Sequence, residues 1–101
     1  MSDQLNNCTS LIRSHFQLGD QELLHSESFE KLEKSLTSII SYMLDKDFNR
    51  LLNAFYKIDL DEQKFKEILA NTSTEILANS LAKEVITREL QKVETRLKYK
   101  S

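Results

Sequence analysis

Residues 72–98 read TSTEILANSLAKEVITRELQKVETRLK and carry the clearest structural signal in this chain. Apolar residues recur there three and four positions apart, at Ile76, Leu77, Leu81, Val85, Ile86, Leu90, Val93 and Leu97. This is the spacing of the apolar face of an amphipathic helix. Thr72 and Glu75 precede that face with the three-residue separation of a capping box. The stretch therefore predicts a long C-terminal helix over about residues 73–98, with Thr72 as its N-cap.

The first half of the chain repeats this periodicity in shorter stretches. A first helix is predicted over about residues 3–17, and the single glycine, Gly19, follows where a left-handed C-terminal residue is expected. Ser26 or Ser28 can cap the next helical stretch. That stretch, 28–58, predicts either one long helix or two helices.

Two aspartates mark the candidate boundaries in the middle of the chain. Asp47 could cap a new helix if the 28–58 segment breaks near 45–47. Asp59 and Glu62 stand three apart, which predicts the start of a short helix over about 60–71. The sequence thus predicts four principal helices, or five if the segment breaks near Asp47.

Composition agrees with an all-α fold. The chain has 101 residues, of which 40% are hydrophobic and 30% charged, with one Gly and no Pro. An all-β domain needs many tight turns built from Gly and Pro, so that class is excluded. Residues 1–101 form too short a chain for two independent cores, and the connections are brief. We expect a single domain, a small antiparallel helical bundle.

The net charge and the number of cysteines indicate the cellular compartment. The net charge is −2 and Cys8 is the only cysteine, so an internal disulfide is impossible. The N-terminal residues show no basic region followed by an apolar run, and no stretch approaches the roughly 20 apolar residues of a membrane span. We expect a cytoplasmic protein without a membrane partner.

No metal or cofactor site is expected. Asp45, Asp47 and Asn49 begin like a calcium loop, but the sixth and twelfth positions, which require Gly and Glu, hold Arg50 and Tyr56. For zinc, the nitrogen and sulfur ligands available are Cys8, His15 and His25, which form no closely spaced pair.

No catalytic constellation is expected either. Cys8 and His15 lie two helical turns apart, about 10.5 Å along one helix, which is too far for a hydrogen bond. The chain is therefore predicted not to be an enzyme. The alternative is an enzyme whose site is assembled between helices.

A basic face on the C-terminal helix suggests a second function class. Arg88, Lys92 and Arg96 are each four residues apart, and residues 83–101 hold six basic against three acidic residues. A phosphate backbone could lie along this face, which makes a nucleic-acid-associated protein an alternative function. The same charges also suit a solvated helix end, because basic residues oppose the helix dipole there.

A polar face in the 28–58 segment offers a further candidate contact. Arg50 and Asn53 lie opposite the apolar residues of that segment. Arg50 could pair with an acidic group on a partner, and Asn53 could add a directed hydrogen bond. Alternatively, Arg50 pairs within the chain, with Asp47 or with an acid at the start of the third helix.

An apolar seam near the C-terminus supplies the leading functional hypothesis. Ile86, Leu90, Val93 and Leu97 step four, three and four residues. A 26-residue helix is about 39 Å long, whereas a compact domain of this size measures roughly 34 Å across, so this helix could outrun the core. The seam then predicts a non-catalytic protein–protein interaction module that self-associates as a homodimer. The alternative is that other helices of the same chain cover it.

Overall fold

The computed structural model describes residues 3–18, 28–60 and 62–99, without the side chains of residues 3, 74, 75 and 96–99. These ranges contain five helices and no strand: α1 (Asp3–His15), α2 (Phe29–Lys46), α3 (Phe48–Ile58), α4 (Glu62–Asn71) and α5 (Thr74–Tyr99). The predicted all-α bundle is confirmed, in its five-helix form.

The fifth helix arises because the 28–58 segment breaks at Asp47. The backbone N–H of Asp47 donates to the carbonyl of Met43 at 2.9 Å and so ends α2. Its side chain accepts from the backbone N–H of Arg50 at 3.4 Å and so opens α3. The other end of α2 is capped by Ser28, whose hydroxyl accepts from the backbone N–H of Lys31. α3 can therefore change direction and pack against α1, α2 and α5.

The end of α3 differs from the prediction. Asp59 does not open the next helix; it is the left-handed residue that ends α3, with φ of 60°. The N–H of Leu60 donates to the carbonyl of Phe55 and that of Asp59 to the carbonyl of Tyr56, which is a Schellman motif. The acid is thus used at a C-terminus, because the turn needs a residue that tolerates positive φ.

Two other predicted boundaries also shift. α1 ends in the same kind of turn, with Gln17 at φ 55° as its left-handed residue, two positions before Gly19. Gly19 and Ser26 lie outside the described residues. α5 begins at Thr74, so Ser73 directly precedes it, in place of Thr72.

α5 is the central element of the bundle. It packs against each of the other four helices. Its 26 residues span about 39 Å, and the longest dimension of the molecule is 40 Å. The helix therefore sets the long dimension of the molecule. Nowhere in the described part of the chain is there a helix with the length and apolar character that crossing a membrane requires.

The apolar seam is largely part of the chain's own core. Val93 is 2% exposed, and Ile86 is partly buried and packed against the core. Leu90 is half-buried, and the side chain of Leu97 is outside the description. The structure thus gives Ile86 and Val93 an intramolecular role, which is the alternative that the sequence left open.

Candidate functional site

An apolar surface is left open between α3 and α4, and we call it the α3–α4 groove. It has a volume of about 240 Å³, with Glu62 and Lys66 at its edge and an apolar lining of Phe48, Leu52, Phe55, Tyr56, Leu60, Phe65 and Leu69. Tyr56 is 76% exposed, Phe48 41% and Leu69 38%. Large apolar side chains gathered on one concave surface are typical of a contact site for another molecule.

The turn at Asp59 and Leu60 creates this groove. It ends α3 and sets α4 beside it, so that Phe55 and Phe65 meet edge to face with their ring centroids 4.9 Å apart. Phe55 is buried and also contacts Phe16, which directly follows α1, edge to face at 6.4 Å. The floor of the groove is therefore anchored in the core, while Tyr56 and Phe48 stand at its open side.

α4 forms the less firmly held wall. None of its residues is buried, and the two that approach the core, Phe65 and Ile68, are only partly covered. Lys64 reaches Glu84 of α5 at 4.0 Å, and Lys66 pairs with Glu62 on the same helix at 3.4 Å. Such exposed pairs contribute little to stability. A ten-residue helix held this way leaves Leu69 exposed and Phe65 only partly covered.

The two residues of the predicted polar face, Arg50 and Asn53, lie in different surroundings on α3. The guanidinium of Arg50 donates to the backbone carbonyls of Phe16 and Gln17, with Nε at 3.1 Å from the Phe16 oxygen. The carbonyls at the C-terminal end of α1 have no N–H of the same helix to accept from, and Arg50 supplies them with donors. Arg50 is thus held within the chain, through a contact different from the predicted pairing with an acid. Asn53 is exposed.

The basic face of α5 is partly occupied. Lys92 reaches a carboxylate oxygen of Asp59 at 3.5 Å. Arg88 is half-buried, and its Nη1 donates to Gln91 at 3.4 Å. The side chain of Arg96 is not described. The two described cations therefore lie against the bundle near the α3–α4 turn, and they do not form an open row.

A buried polar cluster joins α1 to α5, and the sequence analysis missed it. Glu89 is fully buried, and its Oε2 lies 2.6 Å from Nδ1 of His15. A carboxylate at this depth requires a partner, and His15 supplies one across the two helices. The signal was available: Val85, Glu89 and Val93 follow at intervals of four, which places Glu89 on the buried stripe of α5.

Cys8 lies beside this cluster as an unreactive thiol. It is fully buried, and its Sγ points to the carbonyl of Ile86 at 3.9 Å. Burial, with a smaller contribution from the charge of Glu89, raises the pKa of Cys8 to about 12. The thiol is therefore protonated at neutral pH and is not available as a nucleophile.

Among the described residues, no group of three or more His, Cys, Asp or Glu side chains could hold a metal ion. The α3–α4 groove gathers exposed aromatic and aliphatic side chains on one concave surface. Comparisons with models of protein families, with curated proteins and with solved structures find no match to this chain.

Proposed function

We propose that this protein is a non-catalytic protein–protein interaction module that binds a partner segment in the α3–α4 groove. The observation that carries the proposal is the convergence of Phe48, Tyr56 and Leu69, all exposed, on one concave apolar surface. Tyrosine and other aromatic residues are common anchors of protein interfaces, because they bury much surface at a small entropic cost.

The sequence pattern pointed to the C-terminal helix as the interaction surface, whereas the groove lies between α3 and α4. Val93 and Ile86 serve the core, whereas the α3–α4 groove has no covering element among the described residues. We further propose a cytoplasmic location, in which the lone thiol of Cys8 stays reduced. A nucleic-acid role receives less support, because Lys92 is engaged with Asp59.

Photo-crosslinking in the cells that express the protein tests the proposal. Benzoylphenylalanine replaces Leu69 at the groove in one variant and Tyr42 in the control; Tyr42 is 63% exposed on α2 and does not line the groove. We expect one discrete protein product from position 69, abolished when Tyr56→Ala is added, and none from position 42. Equal products from both positions, or none from position 69, would contradict the proposal.

The mass of the product also identifies the kind of partner. Two chains of 11.8 kDa joined through position 69 would show self-association through the groove, the homodimer that the sequence suggested on another surface. Any other discrete mass would show a different protein, and its crosslinked peptide identifies the bound segment by mass spectrometry.

A further inference from the structure

A polar cleft adjoins the α3–α4 groove. It lies between α4 and α5, has a volume of about 390 Å³ and is lined by Asp59, Lys64, Glu84, Arg88 and Gln91 among others. Leu60 lines both the cleft and the groove. A segment bound in the groove can therefore extend into the cleft across this one side chain.

The charges of the cleft leave one cation without an acidic partner. Glu84 lies 4.0 Å from Lys64, and Asp59 lies 3.5 Å from Lys92. Arg88 forms no ion pair with the described residues, and its hydrogen bond there goes to the neutral side chain of Gln91. Its Nε is buried and has no hydrogen-bond partner in the part of the chain that the structure describes.

A buried N–H without an acceptor is costly, and the cost is larger when the group is charged. The guanidinium offers its donors in a fixed planar fork that fits the two oxygens of a carboxylate. An incoming carboxylate would neutralise the charge of Arg88, and a turn of the side chain toward it would give the buried Nε an acceptor. Arg88 is thus ready to receive an anionic group from outside the chain.

We infer that Arg88 binds a carboxylate of the partner segment whose apolar side chains fill the α3–α4 groove, an inference that rests on the proposed function. The partner segment is then amphipathic and acidic, with an Asp or Glu placed beyond its apolar residues. A nucleic acid fits this site less well, because Asp59 and Glu84 stand in the same cleft and would repel a phosphate backbone.

The test uses random 12-residue peptides displayed on phage and selected on the wild-type protein. We expect the selected peptides to combine two or more apolar residues with one Asp or Glu at a constant separation. Arg88→Gln should weaken the synthetic peptides at least about tenfold, the scale for truncating one member of a desolvated charge pair. Changing the peptide's Asp or Glu to Asn or Gln should weaken its binding to the wild-type protein to a similar extent. The changed peptide should bind Arg88→Gln no more weakly than it binds the wild type, because the paired interaction is then already lost.

Three further variants make the result specific. Lys34→Gln, an equal change of charge at an exposed site on α2, should leave peptide binding unchanged. Arg88→Lys, which keeps the charge but loses the fork, should bind with intermediate strength. Arg88→Gln should melt close to the wild-type temperature, because it removes an Nε that forms no bond in the described part of the chain and one long, exposed hydrogen bond to Gln91.

Two outcomes overturn the inference, and they differ from failure of the proposed function. The inference is wrong if the peptides lose binding to Tyr56→Ala but bind Arg88→Gln at wild-type strength, and the groove function then stands. It is also wrong if Arg88→Gln abolishes binding of a 12-nucleotide single-stranded DNA but leaves peptide binding intact. Peptides that bind Tyr56→Ala as well as wild type would instead contradict the proposed function.

Discussion

Left-handed residues other than glycine end two of the described helices. Gln17 follows α1 and Asp59 follows α3, each in a Schellman motif. Positive φ costs most residues about 1–2 kcal/mol, so each turn needs compensation. At Gln17 it comes from Arg50, which binds the carbonyls of Phe16 and Gln17. At Asp59 it comes from the tolerance of a short polar side chain for this conformation.

Substitution at Asp59 measures the backbone contribution. Asp59→Gly should unfold with a free energy about 1 kcal/mol above that of Asp59→Ala, because Ala meets the full penalty at φ 60° and Gly does not. Both variants lose the exposed contact with Lys92 equally, so their difference isolates the backbone. Urea denaturation followed by circular dichroism gives both values. Equal stabilities would mean that this conformation carries no penalty.

Because the thiol of Cys8 is buried, we expect the stability of the folded protein to fall at alkaline pH. The pKa of Cys8 is raised from 9.0 to about 12 in the folded protein. Above pH 9 the unfolded chain therefore loses this proton while the folded chain retains it. The free energy of unfolding is unaffected below pH 9 and falls by up to about 1.4 kcal/mol per pH unit from there toward pH 12.

Urea denaturation between pH 8 and 10.5 tests this, with Cys8→Ala as the control. The variant is less stable at pH 8, because it leaves a small cavity, but its curve should lack the alkaline decline contributed by the thiol. Parallel pH profiles for the two proteins would show that Cys8 titrates alike in both states.

Single residues mark the limit of what the sequence revealed. The periodicity identified the apolar face of α5, and Asp47 was recognised as a possible cap. The roles of Arg50 and Glu89 were not predictable in the same way, because each binds a group far along the chain, Phe16 or His15. Local spacing contains no information about such contacts, although it does place Glu89 on a buried stripe.

At the scale of helices, the sequence left open whether residues 28–58 form one helix or two. Asp47 serves both outcomes, since its side chain can cap a new helix or face solvent within a continuous one. The tertiary structure decides: Leu51, Ala54, Phe55 and Ile58 of α3 are all buried, and the break allows α3 to pack against α1 as well as α2. The groove was unpredictable for the same reason, because it depends on the direction in which α4 leaves the Asp59 turn.

α4 should be the least protected of the described helices. It has ten residues and none of them is buried, and isolated helices of this length are marginal in water. Amide hydrogen exchange by NMR should show α4 opening at a free energy well below that of global unfolding, whereas amides near Leu81 and Val85 in α5 exchange by global unfolding. Equal protection in the two helices would contradict this.

At the scale of the whole molecule, the bundle is elongated. It measures 40 × 28 × 21 Å, whereas the expected overhang rested on comparing α5 with the diameter of a sphere. α5, about 39 Å long, sets the long dimension. Composition and periodicity were sufficient for the fold class, but the shape follows from how the helices are arranged around α5.

Paired substitutions separate the core from the proposed contact surface. Val93→Glu places a charge in the packed core and should unfold the protein, whereas Leu69→Glu, at the edge of the groove, should leave the helical circular dichroism signal intact. The milder Val93→Ala should lower the melting temperature by the same amount at 5 and 500 µM protein, because the contacts it removes lie within one chain. If those contacts instead joined two chains, its melting temperature would rise with concentration, and Val93→Glu would remain a folded monomer.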